Sequence, residues 1–468
     1  MAELLPRGKA LAVNPLKASQ TLGAALALLG MRDCMPLLHG AQGCTAFAKV
    51  FLVRHFREPI PLQTSAMDQV AAVMGADGNL REALDTICSK LKPAVVGVLT
   101  TSLAETEGAD VERVVREFRA EFPQHSATAV VPVAAPDYSG SLETGFAIAL
   151  ESIVEALVPW ASEARSCPGH EPLRVNVLAG AHLTPGDLEH LREMVEAFGL
   201  EPVLVPDLSA SLDGALTDRD FTPLTVDGTP VAELARLGDS AATLVVGDSL
   251  HQAADCLHAR TGVPDYRLPG LMGLGPVDAL MMALTEISGC PVPGRLERQR
   301  AQLEDAMLDT HFMLSGAPLA MAGEPDMLTA WSALLGSLGA DLCGTVSTVR
   351  SPALQDLPGT DVKVGDLEDL EDRARQAGAR LLVGNSHLAR AARRLDLPLL
   401  RAGFPVHDQL GAHLRCRIGY RGSREALFEL ANLLGTDPAG DTRPYRSIFE
   451  TADREDRRHG QDPQHARG

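Results

Sequence analysis

Ala94-Val95-Val96-Gly97-Val98-Leu99 is an unbroken apolar run that opens directly into Thr100-Thr101-Ser102 and then a charged stretch reaching Phe122. A run without polar alternation suits a strand covered on both faces, and a small polar turn before an amphipathic stretch suits a strand feeding a helix. The same unit recurs further along the chain. Val175-Asn176-Val177-Leu178-Ala179-Gly180 leads to a helix ending near Phe198, with Thr184 placed to cap it and Pro185 at its first position. Leu244-Val245-Val246-Gly247 leads into Asp248-Ser249, and Leu381-Leu382-Val383-Gly384 leads into Asn385-Ser386. These last two units form an internal repeat. Each continues to a short strand and a Pro/Gly turn, ending at Leu268-Pro269-Gly270 in one and Ala402-Gly403-Phe404-Pro405 in the other. The pattern predicts an α/β fold of about three open, doubly wound, mostly parallel sheet domains with helices on both faces.

The 468 residues exceed what one hydrophobic core organises. We expect domains at 1–165, 172–300 and 312–435. A Ser/Cys/Pro/Gly linker at Ala164–Glu171 separates the first two, and a long polar helix, Arg295–Met313, joins the last two. From Thr436 onward Asp, Arg, Gly, Pro and His dominate, so 436–468 is expected to be a mobile tail. Aromatics are only 4% of residues, so the core must be built from Leu, Val and Ala. A formal net charge of -19 repels phosphate backbones and anionic lipid, which argues against nucleic acid or a membrane surface as partner. Met1–Pro15 lacks the apolar run of a signal peptide, and Thr21–Gly30 is too short to span a bilayer. The eight cysteines include no CxxC pair and read as reduced thiols of a cytoplasmic protein.

The chemistry concentrates in His39-Gly40-Ala41-Gln42-Gly43-Cys44-Thr45-Ala46-Phe47. Glycines mark a tight loop and a helix follows. Phe47, Val50, Phe51 and Arg54 fall at helical spacing, which predicts an apolar face turned inward. Cys44 then stands at a helix start, a position that favours thiolate over thiol. A thiolate between Gly43 and Thr45 suits an iron–sulfur ligand, because small neighbours leave room and loop amides can reach the sulfides. A lone cysteine in an α/β protein is more often a small buried hydrophobe, so the residues alone leave both accounts open. Cys34 and Cys88 read as core, and Cys256, Cys290, Cys343 and Cys416 as structural. The turns at Gly247-Asp248-Ser249 and Gly384-Asn385-Ser386 lie where such sheets bind ligands, with simple capping the plainer account. His251, His258, His311, His387 and His407 are dispersed. Asp408 reads as a surface or capping carboxylate, and Glu105 and Glu107 as solvated helix-start acids.

Several stretches together resemble the nitrogenase component-one family, in its β-type branch. They are Val13-Asn14-Pro15-Leu16-Lys17-Ala18-Ser19-Gln20, His39 to Phe47, Arg54-His55-Phe56-Arg57-Glu58-Pro59 and Leu99 to Asp110. Ala402-Gly403-Phe404-Pro405-Val406-His407-Asp408 and Gly419-Tyr420-Arg421-Gly422 complete the set. The resemblance runs from about residue 10 to about residue 435. Two departures stand out: Ser19 and Ser102 occupy positions where catalytic β subunits carry cysteines for the large P-cluster, and only Cys44 remains. One thiolate cannot hold a cubane, which takes a full set of ligands. The pattern therefore resembles the β-like subunit of the scaffold on which the iron–molybdenum cofactor is assembled. That resemblance implies an α2β2 heterotetramer with an α-like scaffold subunit. It implies a [4Fe-4S] cluster at their interface, with Cys44 as this chain's ligand and Gly43 and Thr45 beside it. It further implies a transient iron–molybdenum cofactor precursor held mainly by the partner, transient contacts with the iron protein and cofactor-delivery proteins, and no enzymatic activity of the chain on its own. Two other readings stay open: a β-type redox subunit of a nitrogenase or protochlorophyllide reductase-like enzyme, and an unrelated bilobal α/β protein such as a glycosyltransferase or periplasmic-type binding protein.

Overall fold

Apolar side chains on alternating sides of an extended chain need cover on both faces, and parallel strands between helices provide it. In a computed structural model the structure describes residues 2–9, 12–13, 15–161, 173–216, 222–359 and 361–435. The expected linker within 164–171 and the expected tail at 436–468 lie outside the described residues, as does Asn14. In chain order the strands are β1 (Glu3–Leu5), β2 (Cys34–His39), β3 (Gln63–Thr64), β4 (Val95–Thr100), β5 (Ala129–Val133), β6 (Arg174–Ala179) and β7 (Glu201–Val205). They continue with β8 (Ala242–Val246), β9 (Asp265–Leu268), β10 (Pro318–Gly323), β11 (Asp341–Ser347), β12 (Asp361–Val364), β13 (Leu381–Gly384) and β14 (Leu399–Arg401).

These strands make three parallel sheets with orders β3-β2-β4-β5, β7-β6-β8-β9 and β1-β12-β11-β10-β13-β14. In each sheet the strand order reverses direction in the sequence, as a doubly wound sheet requires. Every residue of β2, β4, β6 and β13 is buried, including the polar His39, Arg174 and Asn176 among their mostly apolar runs. Strand β1 was not foreseen. It pairs with β12 at the edge of the third sheet, so the start of the chain belongs structurally with its last third.

The expected helix caps are present. Asp187 N–H donates to Thr184 Oγ1 at 3.0 Å, and the Asp187 carboxylate accepts Thr184 N–H at 2.9 Å. That carboxylate also accepts Arg417 N–H at 2.5 Å, which ties this helix to a segment far along the chain. The long joining helix spans Gly294–Leu314 and packs along the helix Gly419–Gly435.

The centre of the first part is the helix Gln20–Leu29, all of whose residues are buried. Its apolar character therefore reflects burial in protein. It lies against the helix Leu142–Leu157 at backbone contact distance. A Cβ on Gly23 would stand 1.8 Å from Leu142 O, and one on Gly145 would stand 1.8 Å from Gln20 O. The two glycines let these backbones touch, which places Ser19, at the start of the inner helix, near the mouth of β2.

Candidate functional site

Strand β2 ends at His39, and the helix Gln42–Phe56 begins three residues later. The loop between them is fixed from several sides. His39 Nδ1 pairs with Ser65 Oγ at 2.8 Å, Gly40 N–H donates to the same oxygen at 3.2 Å, and Thr101 Oγ1 donates to His39 O at 2.9 Å. Burial holds His39 neutral, at about 4, against a weaker pull from Asp77. A Cβ on Gly40 would lie 2.3 Å from Thr101 Oγ1, so packing within the chain itself demands glycine there. Gly43 differs: a Cβ there would meet nothing within 4 Å.

Cys44 is the third residue of the helix and is exposed, on a cavity of about 710 Å³. Gly43, Ser19, Phe47, Lys17, Asp137 and His387 share its walls. Cys44 does not behave as the helix-start rule predicts. The cavity walls withdraw solvent and Asp137 adds negative charge, so the thiol is pushed up; the residue's own backbone N–H opposes this only in part. Among the described residues no cation offsets this. Thr45 is buried, its hydroxyl has no hydrogen-bond partner, and it does not line the cavity. Ser19 caps the inner helix by accepting Leu22 N–H at 3.2 Å. Ser102 starts the helix Ser102–Glu107 with its hydroxyl buried and unpartnered, and it does not reach the cavity wall.

The face of the helix Gln42–Phe56 runs opposite to the expectation. Its buried residues are Thr45, Ala48, Leu52, His55 and Phe56, whereas Phe47 is 70% exposed and Val50 54%. Phe47 and Phe51 contact each other with ring centres 5.5 Å apart and form part of the cavity wall. The short helix Ala71–Met74, packed on Ser102–Glu107, likewise presents Val73 and Met74 to solvent, at 81% and 80%. Single exposed apolar residues are ordinary, but the helix Gln42–Phe56 presents Phe47 and Val50 outward beside an exposed thiol.

The far end of the same helix is anchored to the third sheet. Val406 N–H donates to His55 Nδ1 at 2.9 Å, Arg57 donates to His407 O at 3.0 Å, and the His55 ring meets Phe404 at 4.8 Å. Two separate sequence motifs, Arg54–Pro59 and Ala402–Asp408, are thus one structural joint. Asp408 belongs to it. Burial pushes its carboxyl up, but donors from Arg401 and Ser386 outweigh this and hold it below the usual range. The strand-end turn at Asn385-Ser386 is therefore satisfied within the chain. So is the turn at Asp248-Ser249, whose amides donate to the Asp326 carboxylate at 3.0 and 3.3 Å.

Sequence reasoning missed Lys17, Asp137 and His387 as neighbours of Cys44. They come from separate segments, and only the fold brings them together. His387 Nδ1 is buried without a hydrogen-bond partner. Cys34 and Cys88 are buried, as expected, while Cys290 is exposed. Among the described residues no group of three or more His, Cys, Asp and Glu side chains is placed to hold a metal ion. Among the same residues no helix is long and apolar enough to cross a membrane.

A model of the family described as nitrogenase component 1 type oxidoreductase matches residues 19–435. The chain belongs to this family. Within it the chain groups with the nitrogenase iron–molybdenum cofactor biosynthesis proteins NifN. It is 47% identical to the one from Klebsiella pneumoniae, covering 93% of each chain. It is 46% identical to the one from Rippkaea orientalis, covering 94% of this chain and 97% of the relative. A solved chain titled "Nitrogenase Cp1 at pH 6.5" superposes with a TM-score of 0.86 at 30% identity, over 94% of this chain and 97% of that one. A second chain, from "Nitrogenase Cp1 at pH 5", shares the fold at 15% identity and a TM-score of 0.67. The reading as an unrelated bilobal α/β protein is thereby overturned. In this family member the Ser19 and Ser102 positions are filled by a helix cap and a buried hydroxyl, which leaves Cys44 as the thiol on the cavity.

Proposed function

We propose that this cofactor-biosynthesis protein works as one half of a shared site, giving Cys44 to a [4Fe-4S] cluster completed by an α-like partner. The observation that carries the reading is a single exposed thiol on an open cavity, with the outward Phe47 and Val50 beside it. Gly43 supports it too, since nothing in this chain requires a residue without a side chain there. The residues present fit a partial ligand set, and the partner supplies the remaining thiolates. A bound cluster would supply positive iron, which stabilises the Cys44 thiolate that this chain alone disfavours.

In this reading Phe47, Val50 and Phe51 pack against the partner and exclude water from the cavity. The precursor of the iron–molybdenum cofactor rests mainly on the partner. The narrowness of this chain's central space, about 70 Å³ between the three sheets beside His182 and Trp331, supports that assignment. An α2β2 assembly, transient docking of the iron protein and of delivery proteins, a cytoplasmic setting and no turnover by the chain alone complete the proposal. The three sheets support treating 1–165, 172–300 and 312–435 as its units, with Glu3–Leu5 exchanged into the last.

The test is iron and acid-labile sulfide, measured anaerobically on the chain alone and on its complex with a co-expressed α-like partner. Iron is expected only in the complex and is lost in Cys44→Ala while both chains stay folded. A full cluster on the lone chain, or unchanged iron in the variant complex, overturns the reading.

A further inference from the structure

The strand ends of the second and third sheets meet the start of the helix Leu142–Leu157 at a group of acids remote in sequence from Cys44. Glu143 lies in the first turn of the helix Leu142–Leu157, behind the first sheet. Glu324 and Asp326 begin the helix Pro325–Ser337, directly after β10 of the third sheet. Asp248, Ser249 and His182 come from the ends of β8 and β6 in the second. The contacts cross between sheets. Glu143 accepts Asp326 N–H at 2.9 Å. Glu324 accepts Ser141 Oγ–H at 2.5 Å and Thr348 Oγ1–H at 2.8 Å. Asp326 accepts Ser249 Oγ–H at 2.6 Å as well as the amides of Asp248 and Ser249.

Glu143 and Asp326 are buried and Glu324 is half-buried, and among the described residues no Lys or Arg forms an ion pair with any of them. The nearest basic group is His182, whose Nδ1 lies 3.8 Å from Asp326 Oδ2. Both of its ring nitrogens lack hydrogen-bond partners, and burial keeps it neutral, at about 4. The other ionisable groups facing the cluster are Asp248, itself pushed up by burial and by Asp326, and His251 and Asp356 beyond it; Asp187 faces His182. The space lined by His182 and Glu324 is about 20 Å³, room for about one water. Buried carboxylates without a cation or bulk water neutralise by taking up protons.

We propose that this junction is a proton-held latch: Glu143, Glu324 and Asp326 share protons while the three sheets are closed on one another, and the junction loosens as those protons leave. Burial raises Glu324 to about 7 and Asp326 to about 6, and it raises Glu143 further in the same direction. The closed form thus binds protons more tightly than an opened one. Its advantage is full at low pH and is lost as pH rises through about 6 to about 7. Each unit by which a closed-state pKa exceeds the opened-state value changes the opening constant by about tenfold.

Hydrogen–deuterium exchange of the full chain, in the assembly in which it purifies, tests this between about pH 5.5 and about pH 8.5 after correction for intrinsic rates. Amides in 141–150, 248–254 and 324–335 should lose protection by about tenfold or more relative to those of β4. Glu143→Gln with Glu324→Gln keeps the acceptor oxygens and should shrink the pH-dependent loss to the part that Asp326 carries, ending near about pH 6. Thr348→Val removes a donor to the Glu324 carboxylate and should move the loss to higher pH. Protection that is flat in the native chain, a pH dependence undiminished by both glutamines, or an unmoved midpoint in Thr348→Val overturns the proposal. If the double variant does not fold, Thr348→Val decides alone.

Discussion

At Cys44, solvent loss and the nearby Asp137 work against ionisation, while the backbone N–H works for it. In the chain without its partner, alkylation of this exposed thiol should therefore rise only at a pH above that of an ordinary cysteine. Asp137→Asn should shift the rate profile to lower pH; an unmoved profile would mean that the carboxylate does not act on the thiol. The residues alone marked Cys44 only as a candidate, because a glycine loop before a helix suits a ligand and a small buried thiol alike; the family resemblance singled it out. Asp137, Lys17 and His387 were not marked as its neighbours, since nothing local in the sequence ties them to residue 44. The thiolate expected from the helix start was wrong for the same reason: a helix end is a local feature, and the opposing charge arrives from another segment.

Among the elements, the helix Gln42–Phe56 teaches most about what a pattern can and cannot say. Its existence and its start were readable from Gly43 and the apolar spacing. Its orientation was not, because an apolar face destined for a partner has the same period as one destined for the core. Phe47→Asp should leave the chain folded, since that side chain lies largely in solvent. It should cost about 2 kcal/mol or more of association with the partner, measured by co-purification and titration. The helix pair Gln20–Leu29 and Leu142–Leu157 makes the opposite case. There Gly23→Ala forces a methyl group into Leu142 O, and the backbones must part. The expected result is a loss of about 3 kcal/mol or failure to fold, read from denaturant unfolding. An unchanged midpoint would show that the close approach is not needed.

For the whole molecule, the parallel-sheet class was plain from the Val- and Leu-rich runs that became β4, β6, β8 and β13. The meeting of the sheets was not, because Glu143 and Glu324 are acids that any surface helix start could carry. Strand β1 was equally hidden, since Glu3–Leu5 is too short to show a period. Its partner β12 lies near the other end of the described chain. During synthesis β1 must therefore wait, without this partner, until residues 361–364 have followed it. The third sheet is closed by Glu3–Leu5, and a bulky group placed just ahead of Glu3 would be felt first beside Asp361, hundreds of residues downstream in the message but adjacent in the finished fold.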